Sequence, residues 1–248
     1  MNRRQLLGGM SLGAGGLLLG GCDKLTTEPN VRKLLIGAEK LHMHSQRLLA
    51  SGEAREYRPD QMSPVFRVNG NSRPASAAWE AHALSNFANW RLVVDGLVGR
   101  PLQLSLHDLG AFRQRAQITR HDCVEGWSAI GKWQGPLLSD ILMAAKLTDR
   151  AKYIVFHCAD DSGGKAFYES IDLYDAFHPQ TIMALLMNDR RLDAGHGAPV
   201  RLRAERHLGY KQAKYVMRIE ARDRIDNLYG GKGGYWEDSS GYAWYAGI

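Results

Sequence analysis

Short stretches of alternating apolar and polar residues, interrupted by Gly, Pro and Asp-Gly and mixed with helical stretches in no regular order, limit the folds open to this chain. Period-two alternation marks residues 153–158, 200–203 and 213–220 as strands, and 118–123 as an extended segment. Arg91-Leu92-Val93-Val94 runs into Asp95-Gly96 and then Leu97-Val98. That pattern predicts a hairpin, because Asp-Gly supplies the positive φ angles of a tight turn. Residues 104–112 predict a short helix. Pro136 is expected to open a helix reaching Ala145, since proline suits a first turn. Residues 171–186 predict at least one helix, broken at His178-Pro179. Residues 51–90 are expected to be irregular, with Pro59, Pro64, Asn69-Gly70 and Pro74 breaking the chain. The tail after Gly230 is rich in glycine and aromatic residues. A doubly wound parallel sheet needs a strand–helix–strand rhythm, and neither that rhythm nor an internal repeat is present. The expected class is therefore α+β, a single domain of mixed sheets with surrounding helices.

The first 22 residues read as a leader. Arg3-Arg4 precede an apolar stretch over 6–21, shorter than the ~20 residues that a membrane-spanning helix needs. The pattern resembles a twin-arginine export signal. Leu19-Gly20-Gly21-Cys22 resembles a bacterial lipobox, whose cysteine becomes an acylated N-terminus, and Asp23 resembles an inner-membrane retention signal. The expectation is a periplasmic protein held at the inner membrane through a lipid on Cys22. Export by that route carries folded cargo, often with a cofactor already inserted. Domain bounds follow: 1–22 signal, 23–55 tether and amphipathic helix (Val31, Leu34, Leu35, Ala38, Leu41, Leu48 and Leu49 at helical spacing), and 56–248 the main domain. His42 and His44, near the end of that helix, read as solvated.

The net charge of +6 includes Arg3 and Arg4 of the leader and is too mild to argue for nucleic acid. It suits an anionic small ligand. Of three cysteines, Cys123 and Cys158 remain if Cys22 is lipidated, and in an oxidising compartment counting alone points to a disulfide. The densest chemistry lies in Thr119-Arg120-His121-Asp122-Cys123-Val124-Glu125-Gly126-Trp127-Ser128. Arg120 and His121 are expected to favour the Cys123 thiolate, the form that attacks carbon or binds a soft metal. Three readings stay open on these residues: a nucleophile with a histidine base, a metal ligand, and a buried structural cysteine. No CxxC or HExxH spacing supports structural zinc.

This segment, with Trp133-Gln134-Gly135, resembles the molybdenum-ligand segment of the sulfite oxidase family, which includes bacterial sulfite dehydrogenases and periplasmic methionine sulfoxide reductase catalytic subunits. A second block is similar to the family's pterin-binding stretch: His196-Gly197-Ala198-Pro199-Val200-Arg201-Leu202, then Leu208-Gly209-Tyr210-Lys211-Gln212-Ala213-Lys214-Tyr215-Val216. Asn86-Phe87-Ala88-Asn89-Trp90 and Asp175-Ala176-Phe177-His178-Pro179-Gln180-Thr181 are weaker matches in the family's order. The resemblance implies a sulfite-oxidase-type molybdopterin-binding fold and a molybdenum–molybdopterin cofactor with Cys123 as the metal ligand. It also implies cofactor contacts from Asn86, Asn89, His121, Cys158, His196, Arg201, Arg206, Lys211, Gln212 and Lys214, with Arg120 meeting the substrate's oxygen. Occupation of Cys123 then displaces the disulfide. His196 stands where several relatives have Asn. Ala88 and Asn89 stand where a methionine sulfoxide reductase has an aromatic–acid pair, which argues against that substrate.

The second block also makes sense from charge alone. Arg201, Arg203, Arg206, Lys211 and Lys214 crowd into fourteen residues, and Arg201 and Arg203 share one face of a strand. Such a cluster suits a phosphate, which the pterin carries. The implied reaction is oxo transfer to or from a small, sulfur-containing substrate. With no Cys-x-x-Cys-His haem motif, electrons are expected to pass through a separate partner, a membrane cytochrome b or a soluble cytochrome c. A non-catalytic lipoprotein binding module is the alternative from another class, and a Cys123–His121 thiol hydrolase a third. About 28 residues follow Glu220, too few for the dimerisation domain of some sulfite oxidases, so a monomer is expected.

Overall fold

The computed structural model describes residues 28–49 and 52–248. The leader, Cys22 and residues 23–27 lie outside the described residues. The chain divides into two compact units at Ser51 and Gly52. The first contributes one described helix, α1 (Pro29–Leu49).

The second unit carries the rest. It runs through α2 (Ala77–Leu84), β1 (Leu92–Gly96), β2 (Leu102–Leu104), α3 (Leu106–Ala111), β3 (Gln114–Asp122), β4 (Ser128–Pro136) and α4 (Leu138–Ala144). Then come β5 (Tyr153–Ser162), β6 (Lys165–Asp172) and a single turn, α5 (Leu173–Ala176). Short strands β7 (Ile182–Ala184), β8 (Leu186–Met187), β9 (Arg190–Arg191) and β10 (Arg201–Arg203) lead to β11 (Val216–Arg222) and α6 (Tyr235–Ser240). Among the described residues, the strands form a five-stranded sheet in the order β2-β1-β11-β5-β6, a four-stranded sheet β3-β4-β8-β9 and a ribbon β10-β7. Among the described strands only the β1–β11 pair is parallel. The expected α+β class is thus observed.

The larger core lies against the five-stranded sheet. Leu138, Ile141, Leu142 and Ala145 recur at helical spacing on α4 and pack with Leu92, Val94, Ile154, Phe156 and Ile219 from that sheet. Each such Leu or Ile, removed from water, contributes about 1.5–3 kcal/mol. A second cluster, built on Phe66, Trp79, Trp133, Ile182, Met187 and Tyr215, lies among the four-stranded sheet, the ribbon and α2. The ribbon crosses β4 closely: a Cβ on Gly135 would lie 2.0 Å from the Met183 carbonyl oxygen. Only glycine permits that crossing.

Several local expectations change. Asp95-Gly96 closes no two-residue hairpin. β1 runs through Gly96, pairs with β11, and meets β2 only after residues 97–101. Gly96 has φ +83°, and a Cβ there would fall 2.3 Å from Ala221 O, so the packing of β11 demands the glycine. Pro136 ends β4 and pairs opposite Gln114, so the helix starts only at Leu138. Residues 51–90 hold α2, whose Ser76 hydroxyl accepts from Trp79 N–H at 3.3 Å. The 171–186 stretch keeps only the α5 turn, capped by Asp172, before β7. The strand predicted over 213–220 begins at Val216, because Tyr215 sits at φ +54° and turns the chain.

Candidate active site

The β3–β4 hairpin presents Cys123 at its tip. Cys123 N–H donates to Trp127 O at 2.9 Å and its carbonyl accepts from Gly126 N–H at 3.1 Å, with Gly126 at φ +83°. Alternation along β3 buries Gln117, Thr119 and His121 and sends Arg120 outward. Cys123 lines a cleft of about 150 Å³ with Asn69, Gly70, Asn71, Glu125, Asp160, Gly209, Gln212 and Lys214. Aromatic side chains from Phe167, Tyr210, Trp236 and Tyr242 complete its wall.

Behind this lining is a buried polar layer. Arg203 pairs with Glu205 through two contacts, 2.9 and 2.5 Å, and Gln117 donates to Glu205 at 2.8 Å. Arg203 also donates to His121 Nδ1 at 3.1 Å, which leaves the other ring nitrogen facing Gln212. Burial, then Arg203 and Arg201, hold the His121 pKa well below its ordinary value. His121 is therefore a neutral imidazole whose Nδ1 accepts from Arg203, which places the ring proton on the buried, unpartnered Nε2, so it is no base for Cys123. The expectation of a favoured thiolate is corrected as well. Arg120 is half-exposed and paired with Asp122 at 2.9 Å, while burial and Glu125 push the Cys123 thiol up. A cysteine–histidine hydrolase is not built here.

The cations divide sharply. Lys211 is fully buried between Glu169 and Glu237, 2.7 Å from the latter. Burial pulls its pKa down, but the two carboxylates outweigh this and raise it. Arg203 belongs to Glu205. Arg206 is buried beside Tyr174 and His178, away from the cleft lining, with Nη1 unpartnered. Lys214 lines the cleft and Arg201 lies behind it against Gln212, and neither has a carboxylate partner among the described residues. Arg201 is fully buried, donates to His196 O (3.1 Å) and Gln212 O (3.3 Å), and leaves Nε unpartnered. Burial, then Arg203, depress its pKa to about 9. Lys214 Nζ donates to three carbonyls: Asn69 and Gly195 at 2.7 and 3.0 Å, and Asn71. Burial and Arg201 press its pKa to about 7, while three acceptors call for three N–H groups and hold the ammonium form.

The remaining predicted residues scatter. His196 joins the site indirectly, bonded to Asp193 at 2.8 Å and to Phe66 O at 3.2 Å, with its carbonyl on Arg201. Cys158 is a free, half-buried thiol whose pKa burial raises, and it packs against the larger core without lining the cleft. Asn86 and Asn89 are exposed in the turn after α2, outside the cleft. Sequence reasoning missed Asn69–Asn71, Asp160, Phe167 and Trp236. The Asn-Gly at 69–70 reads as a chain break, yet it turns the backbone toward Lys214. Asp160 accepts from Asn71 Nδ2 at 3.0 Å, and burial raises its pKa to about 6.

The donor set fits an anionic, sulfur-bound cofactor. Cys123 offers a soft ligand at the cleft surface. Two cations without carboxylates lie at and beneath the floor, and a buried cation lacking a counter-ion is stabilised when an anion arrives. Gly209 lets its turn close over His121, since a Cβ there would lie 2.5 Å from Nε2.

Residues 80–229 match the oxidoreductase molybdopterin binding domain. The whole chain is 36% identical to the putative protein-methionine-sulfoxide reductase subunit YedZ1 of Azospira oryzae, covering 86% of that protein. It is 32% identical, over 54% of its length and 50% of the relative's, to the protein-methionine-sulfoxide reductase catalytic subunit MsrP of Campylobacter jejuni. The MsrP of Pseudomonas syringae pv. tomato is 34% identical over 52% of this chain and 42% of its own. In fold, the chain resembles the sulfane dehydrogenase SoxCD from Paracoccus pantotrophus, with a TM-score of 0.53 at 22% identity over 61% of this chain and 41% of that one.

Proposed function

Since the chain belongs to the sulfite oxidase family of molybdopterin-dependent oxidoreductases, we propose that this enzyme reduces the S-oxide of methionine residues in proteins. The observation that carries the reading is the charge of the cleft wall. Around Cys123 it presents Glu125, Asp160 and four aromatic rings, and Arg120 is withdrawn to Asp122. A sulfite dianion would meet Glu125 and Asp160, and the cation lining the cleft, Lys214, already gives its three N–H groups to carbonyls, whereas a neutral S-oxide flanked by methylenes suits an aromatic wall. The departure at Ala88 and Asn89 does not weigh against this substrate, because Asn89 lies outside the cleft.

When bound, the molybdenum–pterin group supplies a metal that changes oxidation level as an oxygen atom leaves the substrate. Cys123 Sγ would be its protein ligand, and Arg201 and Lys214 would hold its anionic portion, with Gln212 and Asn71 completing the cradle. Two electrons and two protons convert the S-oxide to thioether and water. Asp160, with a pKa raised to about 6, holds a proton at the cleft wall within the pH range where delivery is needed. The electrons come from a separate membrane partner, and the protein works in the periplasm, anchored at the inner membrane through Cys22. Purified holoenzyme with reduced benzyl viologen is expected to reduce methionine sulfoxide in an oxidised protein. Cys123→Ser is expected to lower that rate at least 100-fold. Rapid sulfite oxidation without S-oxide reduction would sink the substrate assignment and leave the family membership intact.

A further inference from the structure

Helix α1 is amphipathic. At about 100° per residue, Val31, Leu34, Leu35, Ala38, Leu41, Leu48 and Leu49 fall within an arc of roughly 140°. All five leucines in the arc are open to solvent: Leu34 at 73%, Leu35 at 49%, Leu41 at 69%, Leu48 at 81% and Leu49 at 89% exposure. Leucines exposed to this degree along one face are not core residues. His42 and Ser45 share the arc, but Ser45 returns its hydroxyl to Leu41 O at 2.8 Å, which removes its need for water. The opposite side carries Lys33 and Lys40, both exposed, and His44, whose Nδ1 bonds to Lys40 O at 2.7 Å. Glu39 is the only acidic residue in the helix.

We propose that α1 lies in the plane of an anionic lipid surface, with its leucines in the acyl boundary and its lysines at the headgroups. Charge complementarity selects this occupant. A protein groove would cover the leucines but would not call for cations flanking the polar side, whereas anionic headgroups do. The helix lies on the membrane and does not cross it: no described helix is long and apolar enough to span. Its 21 residues extend about 31 Å at 1.5 Å per residue. The inference needs neither the substrate assignment nor acylation of Cys22, and a failure of either leaves it standing.

The test uses the full chain on vesicles of phosphatidylethanolamine and phosphatidylglycerol at 3:1. An environment-sensitive noncanonical residue is placed singly at positions 34, 41, 33 and 40. Probes at 34 and 41 are expected to shift to the blue and become accessible to an acyl-chain quencher on vesicle addition, while probes at 33 and 40 stay accessible to an aqueous one. Lys33→Gln with Lys40→Gln is expected to weaken the vesicle dependence of the 41 probe roughly 25-fold, at about fivefold per cation. Phosphatidylcholine vesicles are expected to give a weaker response. No vesicle-dependent change at 34 and 41, or shielding of both before vesicles are added, would overturn the proposal; the second result would assign the face to a protein contact.

Discussion

Lys211 separates a structural cation from a cofactor cation, and Lys211→Met tests the distinction. In the native protein its ammonium sits between Glu169 and Glu237, all three side chains at most 1% exposed. The triad ties α6 and the glycine-rich tail to β6. Removing one partner of a buried ion pair costs about 3–5 kcal/mol, because the other charge is left uncompensated. Here two carboxylates are stranded together, so the upper part of that range is expected. For a domain near this size, with about 2–4 °C per kcal/mol, the melting temperature should fall by roughly 10–15 °C. The pH dependence has a definite sign. Burial, with Glu237 adding to it and Lys211 opposing, already raises the Glu169 pKa, and loss of the lysine raises it further. The folded state then holds protons that the unfolded chain has released, so the variant's stability falls as pH rises above the ordinary carboxylate range. Urea denaturation should show the deficit larger at pH 8 than at pH 5, and Glu169→Gln together with Glu237→Gln in the Lys211→Met background should recover most of it. A variant with wild-type stability that has lost its molybdenum would refute this reasoning and make Lys211 a cofactor ligand.

Three further variants probe the cleft. Gly209→Ala places a methyl 2.5 Å from His121 Nε2 and should cost about 1–3 kcal/mol by overpacking, read as a drop in melting temperature; an unchanged melting temperature would mean that the turn relaxes freely. Asp160→Asn should flatten a pH dependence of stability. The folded carboxyl titrates near 6 against 3.8, so the wild type loses up to about 3 kcal/mol as pH rises from 4 through 6, at about 1.4 kcal/mol per pH unit. Identical denaturation profiles of variant and wild type at pH 4.5 and 7.5 would contradict it. Trp236→Ala with Tyr242→Ala should raise KM for the protein-bound S-oxide about tenfold with little change in kcat; a fall in kcat alone would place these rings elsewhere in the mechanism.

The fold class and the extended segment leading to Cys123 were legible because both rest on local order, whereas the returning strand β4, which makes that segment a hairpin, was not read. Strand alternation and a dense motif survive any tertiary arrangement. Boundaries failed where tertiary packing decided them: Gly96 is glycine for the approach of Ala221 and not for a two-residue turn, and Pro136 finishes a strand because β4 continues across the ribbon. The cation cluster shows the same limit more sharply. In sequence, Arg201, Arg203, Arg206, Lys211 and Lys214 are equivalent charges within fourteen positions. Their difference lies entirely in partners from distant segments or in a turn of chain: Glu205 two residues on claims Arg203, while Glu169 and Glu237, forty-two and twenty-six residues away, claim Lys211. Arg201 and Lys214 keep only carbonyls. A carbonyl satisfies hydrogen bonds but does not neutralise a charge, so these two buried cations keep an unmet demand for an anion at the cleft. That demand is electrostatic and three-dimensional, and the spacing of basic residues along a strand cannot express it.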